Sequence, residues 1–292
     1  MTGKIIKGVG GFYYVHLHDD VIYECKAKGI FRNKNIKPTV GDDVDIDIID
    51  EEERTGNIIS IKTRKNSLIR PAVSNINQAI IIFALSNPMP NYNLLDRFLV
   101  MMNAQHIDTI ICFNKSDLTD DDTAENIKNI YSSSGYEVII TSTREDKNIQ
   151  VLKEKLKGKT TVLAGPSGVG KSSIINAVKS DNYAKTGEIS EKIKRGKHTT
   201  RHVELMYVEE DTYIMDTPGF SSLYIENIEA EELKYYYNEF NEYEGKCRFN
   251  GCIHINEPDC AVKNALSEEK ISRLRYDNYK LLYEELKEKR KW

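Results

Sequence analysis

Gly165-Pro-Ser-Gly-Val-Gly-Lys171-Ser172 fits the phosphate-binding pattern G-x-x-x-x-G-K-[ST] at every defined position. The apolar run Thr161-Val-Leu-Ala164 before it reads as a buried strand. Ile174, Ile175, Ala177 and Val178 after it give one face of a helix, and strand-loop-helix is the setting in which this pattern binds phosphate. The loop from Gly165 through Pro166, Ser167, Gly168, Val169 and Gly170 is expected to aim backbone N–H groups at a polyphosphate, with the helix N-terminus at Lys171, Ser172 and Ser173 adding positive potential. Lys171 reaches the outer phosphates and takes a catalytic role, and the Ser172 hydroxyl ligates magnesium, a hard cation that prefers oxygen. A glycine-rich turn that only joins a strand to a helix is the plainer alternative, and the flanking elements weigh against it.

Outward from the loop, the pattern is that of an α/β sheet. Gln78-Ala-Ile-Ile-Ile-Phe-Ala-Leu85 and Ile107-Asp-Thr-Ile-Ile-Cys-Phe113 read as strands, with Leu94, Leu95, Phe98, Leu99 and Met102 forming the apolar stripe of a helix between them. A polar helix near 124–131, the strand Tyr136-Glu-Val-Ile-Ile-Thr141 and a helix over 149–156 then lead into the phosphate loop. Asn114-Lys115-Ser116-Asp117 lies at the carboxyl end of a strand, where open α/β sheets bind ligands, and matches the N-K-x-D pattern of GTP-binding proteins. A fixed carboxylate at Asp117 accepts two hydrogen bonds from the ring N–H and exocyclic amine of guanine, a donor pair that adenine does not present. Asn114 holds the loop and base edge, and the stem of Lys115 lies along the base or ribose. Four residues alone are often an ordinary turn; the buried strand before them and the phosphate loop give them weight. Thr141 and Ser142 end the next strand, where a small residue and a backbone N–H can reach the base carbonyl.

Two further segments complete a nucleotide site. Lys192-Ile-Lys-Arg-Gly-Lys-His198-Thr199-Thr200-Arg201 is polar, lacks apolar periodicity and reads as a loop, with a threonine such as Thr200 placed to complete the magnesium shell and contact the terminal phosphate. Tyr213-Ile-Met-Asp216-Thr-Pro-Gly219 is a strand ending in D-x-x-G, where Asp216 holds magnesium through water and Gly219 offers its N–H to the phosphate. GTPases of the Ras type run phosphate loop, threonine loop, D-x-x-G and then N-K-x-D, whereas here N-K-S-D comes first. The cycle is rotated, a change that leaves the assembled site intact.

The flanks differ in kind. Residues 1–68 carry short valine- and isoleucine-rich runs broken at Gly10-Gly11, Asp19-Asp20, Gly41-Asp42 and Thr55-Gly56, and Val44-Asp-Ile-Asp-Ile48 with Asn57-Ile-Ile-Ser-Ile61 makes one hairpin nearly explicit. A five-stranded barrel of the oligonucleotide-binding (OB) type fits this spacing. Phe12, Tyr13, Tyr14, Tyr23 and Phe31 are either core or stacking surfaces for bases beside Lys26, Lys28, Arg32 and Lys34, and core is the commoner use of strand aromatics. Toward the other end, Cys247-x4-Cys252-x-His254-x5-Cys260 puts three thiols and an imidazole within fourteen residues, a closed, structural zinc set; buried unligated cysteines are the alternative. From Ser267 to Lys291 a single helix is expected, with Ser267 as N-cap and Ile271, Leu274, Leu281, Leu282 and Leu286 on its apolar face.

Composition sets the outer limits. With 41 basic against 45 acidic residues the chain carries a net charge of -4, which argues against a uniformly basic nucleic-acid binder. Local basic patches remain at 192–202 and 62–70, each either an RNA contact or a solvated face. No apolar run approaches the roughly 18 residues of a membrane span, and Met-Thr-Gly-Lys opens no signal-peptide core, so a cytoplasmic protein without membrane contact is expected.

Taken together, Asn114–Asp117, Gly165–Ser172, Gly196-Lys-His-Thr-Thr200, Asp216–Gly219 and the Cys247–Cys260 cluster resemble the RsgA (YjeQ) family of ribosome small-subunit-dependent GTPases over nearly the whole chain. The resemblance implies an OB-type barrel at 1–68, a circularly permuted P-loop GTPase domain at 69–222 and a zinc-binding helical domain at 223–292. It also implies GTP hydrolysis to GDP stimulated by the small ribosomal subunit during its late maturation, with barrel and zinc domain on ribosomal RNA, and a monomer is expected. Phe220 stands where Ras-type enzymes have a glutamine to orient water, and a phenyl ring has no polar group for this. The resemblance points instead to His198, whose other reading is a surface histidine on RNA. A nucleotide-gated RNA-binding assembly factor with incidental hydrolysis is the rival class.

Overall fold

A computed structural model describes residues 1–17, 21–29, 31, 37–68, 72–179, 203–216, 225 and 228–289. In chain order the strands are β1 (Thr2–Val9), β2 (Phe12–Leu17), β3 (Ile22–Ala27), β4 (Asp43–Asp50), β5 (Thr55–Ile61), β6 (Ser67–Leu68), β7 (Val73–Ser74), β8 (Gln78–Ala84), β9 (Asp108–Asn114), β10 (Glu137–Ile140), β11 (Thr160–Ala164), β12 (Leu205–Glu209) and β13 (Thr212–Asp216). The helices are α1 (Tyr92–Ala104), α2 (Asp121–Ser133), α3 (Ile149–Leu156), α4 (Lys171–Val178), α5 (Ala261–Ser267) and α6 (Arg273–Lys289). They fall into two compact units, one of Met1–Ala79, Gln150–Ala164 and Ser172–Pro218, the other of Ile80–Ile149, Gly165–Lys171 and Gly219–Trp292.

In the first unit, β1 to β5 close into a barrel in the order β1-β2-β3-β5-β4. Alternation drives it: Ile5, Val15, Cys25, Val44, Ile46 and Ile58 point inward and are buried. Tyr23 and Phe31 join this core, so for them packing wins over base stacking. Phe12, Tyr13 and Tyr14 are half-buried, with the Lys26 ammonium 5.0 Å from the Phe12 ring centre; Arg32 and Lys34 lie outside the described residues. In the same unit β11 pairs parallel with β13, and β13 antiparallel with β12. The barrel meets this group directly, through the Lys7–Glu204 ion pair at 2.9 Å and a 2.9 Å contact between His16 Nδ1 and Tyr213 Oη.

In the second unit the strands follow the order β10-β9-β8, with β9 and β10 parallel. Helix α1 starts where the Asn91 side chain accepts from Leu94 N, and α2 where Asp120 accepts from Thr123 N, each satisfying an otherwise orphaned N–H. The expected closing helix is two. Ser267 ends α5 instead of capping a helix, its hydroxyl donating back to Asn264 O; Glu269 then takes a left-handed turn at φ 58°, and α6 begins at Arg273. Leu282 and Leu286 are buried as expected, but Leu281 is exposed, and the inward face is carried by Arg275, Tyr276, Tyr279 and Tyr283. Among the described residues no helix is long and apolar enough to cross a membrane.

Candidate functional site

In the second unit the loops after β9 and β10 and the phosphate loop are built around one side chain, Asn114, at the end of β9. Its Nδ2 donates to Val169 O at 3.0 Å, and its Oδ1 accepts from Thr141 Oγ1 at 3.2 Å. The amide is therefore oriented at both ends. Thr141 has one hydroxyl proton and gives it to Asn114, so the neighbouring Cys112 Sγ, 3.4 Å away, donates to the threonine oxygen. Burial pushes the Cys112 thiol up to about 12, which keeps that proton in place.

This arrangement explains two glycines. At Gly170, φ is +96° and an added Cβ would lie 2.3 Å from Asn114 Nδ2; at Gly165, φ is +146° and a Cβ would lie 2.1 Å from Ile82 O. Gly170→Ala is thus expected to dislodge the Asn114–Val169 bond and lower GTP affinity about 10- to 100-fold, with a modest fall in unfolding midpoint from the strained backbone, as read by nucleotide titration beside thermal melts. Affinity within twofold of the unchanged protein would show that the bond does not matter.

Lys115 sits in the left-handed region at φ 63° and donates from Nζ to Gly168 O at 2.7 Å and to Asn87 O. Asp117 Oδ1 accepts from Ser142 Oγ at 2.7 Å, and the exposed Arg144 lies 3.9 Å from Oδ2. Ser116 is buried, its N–H donating to Thr141 O at 3.1 Å. In the phosphate loop Val169 is buried, Pro166 half-buried, and Ser167 and Gly168 exposed; Lys171 Nζ donates to Gly165 O and Pro166 O, each at 2.8 Å. Ser172 and Ser173 are exposed in the first turn of α4. In the first unit Asp216 ends β13, and its Oδ1 is buried with no hydrogen-bond partner among the described residues. His198, Thr200, Gly219 and Phe220 lie outside the described residues.

The Cys/His cluster converges as its spacing predicts. The ligand atoms of Cys247, Cys252, His254 and Cys260 all lie within 4.8 Å of one another. Cys247 and Cys260 sulfurs are 3.9 Å apart, and His254 Nδ1 is 3.6 and 3.4 Å from them; a tetrahedron with ~2.3 Å zinc–sulfur bonds has edges of about 3.8 Å. Burial pushes the Cys252 thiol up to about 12 and raises Cys260 as well, so gathering thiolates here calls for a cation. The donor set fits a metal ion. Residues that the spacing did not single out hold the cluster: Glu257 accepts from Ile253 N, Ile255 N and Asn256 N, while Tyr276 Oη donates to His254 O and Tyr279 Oη to Ile253 O. The tyrosines' i, i+3 spacing was the available signal.

Comparison with known proteins bears on the whole chain. The family model for the RsgA GTPase matches residues 61–226, and that for the RsgA N-terminal domain matches residues 2–58. This chain belongs to the RsgA GTPase family. It is accordingly a GTP hydrolase. A relative from Agathobacter rectalis, named small ribosomal subunit biogenesis GTPase RsgA, is 58% identical over 302 residues and covers 100% of both chains. One from Alkaliphilus metalliredigens with the same name is 46% identical, covering 99% of each. Among solved structures, YloQ, described as a circularly permuted GTPase, aligns with a TM-score of 0.80 at 39% identity, over 99% of this chain and 95% of that one. YjeQ from Thermotoga maritima aligns at 0.82 and 35%, covering 98% of each. The RsgA architecture thus carries the rotated motif order, N-K-S-D before the phosphate loop.

Proposed function

We propose that this GTPase acts in late maturation of the small ribosomal subunit, hydrolysing GTP when bound to that subunit. The observation that carries the reading is full-length similarity to relatives named small ribosomal subunit biogenesis GTPase, joined to a base-and-phosphate framework centred on Asn114. Asp117 reads guanine with Ser142 behind it, Thr141 and Ser116 shape the base loop, and the loop from Gly165 to Ser173 wraps the phosphates. Magnesium would be held by Ser172 and Thr200, with Asp216 acting through water, and when bound it neutralises charge on the phosphates. The Asp216 Oδ1, buried and without a hydrogen-bond partner among the described residues, suits that task. Lys171 turns its ammonium from loop carbonyls to the outer phosphates, and Gly219 offers its N–H to the last of them. The metal of the Cys/His cluster is zinc, because three thiolates and one imidazole in a closed set match its softness and geometry. The barrel at 1–68 and the helical region at 223–292 contact ribosomal RNA on either side of a GTPase domain at 69–222. The protein works as a cytoplasmic monomer.

His198 orients the attacking water in place of Phe220, which has no polar group to do so. The test is GTP turnover with and without purified small subunits, in the unchanged protein and in His198→Ala. Subunits are expected to stimulate the former. The variant should keep GTP and subunit affinity within a few fold and lose on the order of 10- to 1000-fold of stimulated turnover. Normal turnover with weakened subunit binding would make His198 an RNA contact. Absence of stimulation, with assembly function intact in a hydrolysis-dead Lys171 variant, would favour the nucleotide-gated binding factor.

A further inference from the structure

Behind the Cys/His cluster stands a lysine–carboxylate pair that the nucleotide chemistry does not use. His254 presents two different nitrogens. Nδ1 faces the sulfurs, 3.6 Å from Cys247 and 3.4 Å from Cys260, and is therefore the ligand atom. Nε2 points away from them, buried and with no hydrogen-bond partner among the described residues. When Nδ1 gives its lone pair to a metal, the neutral ring carries its proton on Nε2, and a buried N–H needs an acceptor.

Glu244 Oε2 lies 3.8 Å from Nε2. Its carboxylate is gripped by Lys234, whose Nζ donates to Oε1 at 2.9 Å and Oε2 at 3.2 Å. Lys234 has a side chain only 6% exposed, on the 3-10 helix Ala230–Tyr236, and its buried ammonium needs the carboxylate as much as the carboxylate needs an anchor. The imidazole cannot swing away, because the Phe240 ring meets it edge-on at 5.7 Å and Tyr276 holds the His254 carbonyl. The half-exposed Glu244 is the adaptable partner, and an approach of about 1 Å brings it to charge-assisted hydrogen-bond distance.

We propose that Glu244, anchored by Lys234, accepts the Nε2 proton of His254 and thereby sets the metal affinity of the cluster. It is a positioning residue. This rests on the reading that the cluster holds zinc. Outer-shell carboxylates of this kind fix the tautomer and orientation of a ligating imidazole and make it a better donor.

Zinc affinity of the full chain, measured by competition with a chromophoric chelator, tests this. Glu244→Ala should weaken zinc about 10- to 100-fold, and Glu244→Gln, which keeps a neutral acceptor oxygen and guards against misfolding of the alanine variant, should fall between. In a His254→Cys background there is no imidazole to orient, and Glu244→Ala should then cost less than threefold. Either Glu244 variant binding zinc as the unchanged protein does would overturn the proposal. An equal loss in the His254→Cys background would overturn it too, leaving Glu244 only a counter-ion for Lys234. An unchanged protein that takes up no zinc would instead remove the metal reading itself, and the proposal with it.

Discussion

Asp117→Asn is expected to exchange guanine for xanthine nucleotides as the preferred ligand. The wild-type carboxylate has only acceptors to offer, and Ser142 occupies one lone pair of Oδ1 with a 2.7 Å hydrogen bond that fixes the group's plane. Guanine supplies two donors to such a group, its ring N–H and its exocyclic amine. An asparagine amide replaces one acceptor with an N–H, which meets the guanine amine donor to donor but pairs with the carbonyl that xanthine has there. Setting the guanine amine against the new amide N–H, donor to donor, in a site only 10% open at the Asp117 side chain is costly, and a loss of GTP affinity on the order of 10²- to 10⁴-fold is expected, with a gain for xanthosine triphosphate. Competitive titration with the two nucleotides reads this directly. If GTP affinity stays within a few fold and xanthosine triphosphate gains nothing, Asp117 does not read the base.

That experiment probes a part of the site that the chain spells out. On the reading proposed above, phosphate chemistry restricts Gly165–Ser172 and guanine chemistry restricts Asn114–Asp117 by residue type and spacing, and the convergence of Cys247, Cys252, His254 and Cys260 follows from theirs. The barrel strands could be read because one face is buried and one wet, which imprints a period of two. What could not be read are pairings between distant residues. Nothing around Gly170 says that an asparagine 56 positions earlier fills the space of its missing Cβ, and nothing near Cys112 says that its thiol props Thr141. The end of the chain misled for a related reason. Leu282 and Leu286 are buried as the helical stripe requires, but Leu281 is exposed and α6 also turns tyrosines and an arginine inward, because its neighbours offer carboxylates and ring faces where an aliphatic stripe would expect more aliphatics. Periodicity reports which face is buried only when the buried residues are apolar.

Asp96→Ala is expected to unfold that end of the second unit at much lower denaturant. Among the described residues Arg275 is the largest fully buried side chain, 1% exposed, and its charge is met by Asp96 on α1 and by Glu239, with Nε and NH2 donating to Glu239 at 2.8 and 3.0 Å and NH1 donating to Asp96. Asp96 also accepts from Asn278 Nδ2 at 2.7 Å and from Tyr131 Oη at 3.2 Å, and the guanidinium lies 4.6 Å from the Tyr237 ring centre and 5.4 Å from that of Tyr131. Burial pushes the Asp96 carboxyl up despite Arg275 beside it, so the ion pair only partly offsets the cost of taking both charges out of water. The cluster therefore specifies how α6 seats on α1 and adds little net stability. Removing Asp96 alone strands Arg275 with half its compensation and leaves two donors without an acceptor, at a cost of about 3–5 kcal/mol. Asp96→Leu with Arg275→Met and Glu239→Gln, which removes all three buried charges and fills the volume, should recover most of that loss when unfolding is followed by tyrosine fluorescence. A triple variant no more stable than Asp96→Ala would mean that the ion pairs themselves hold α6 in place.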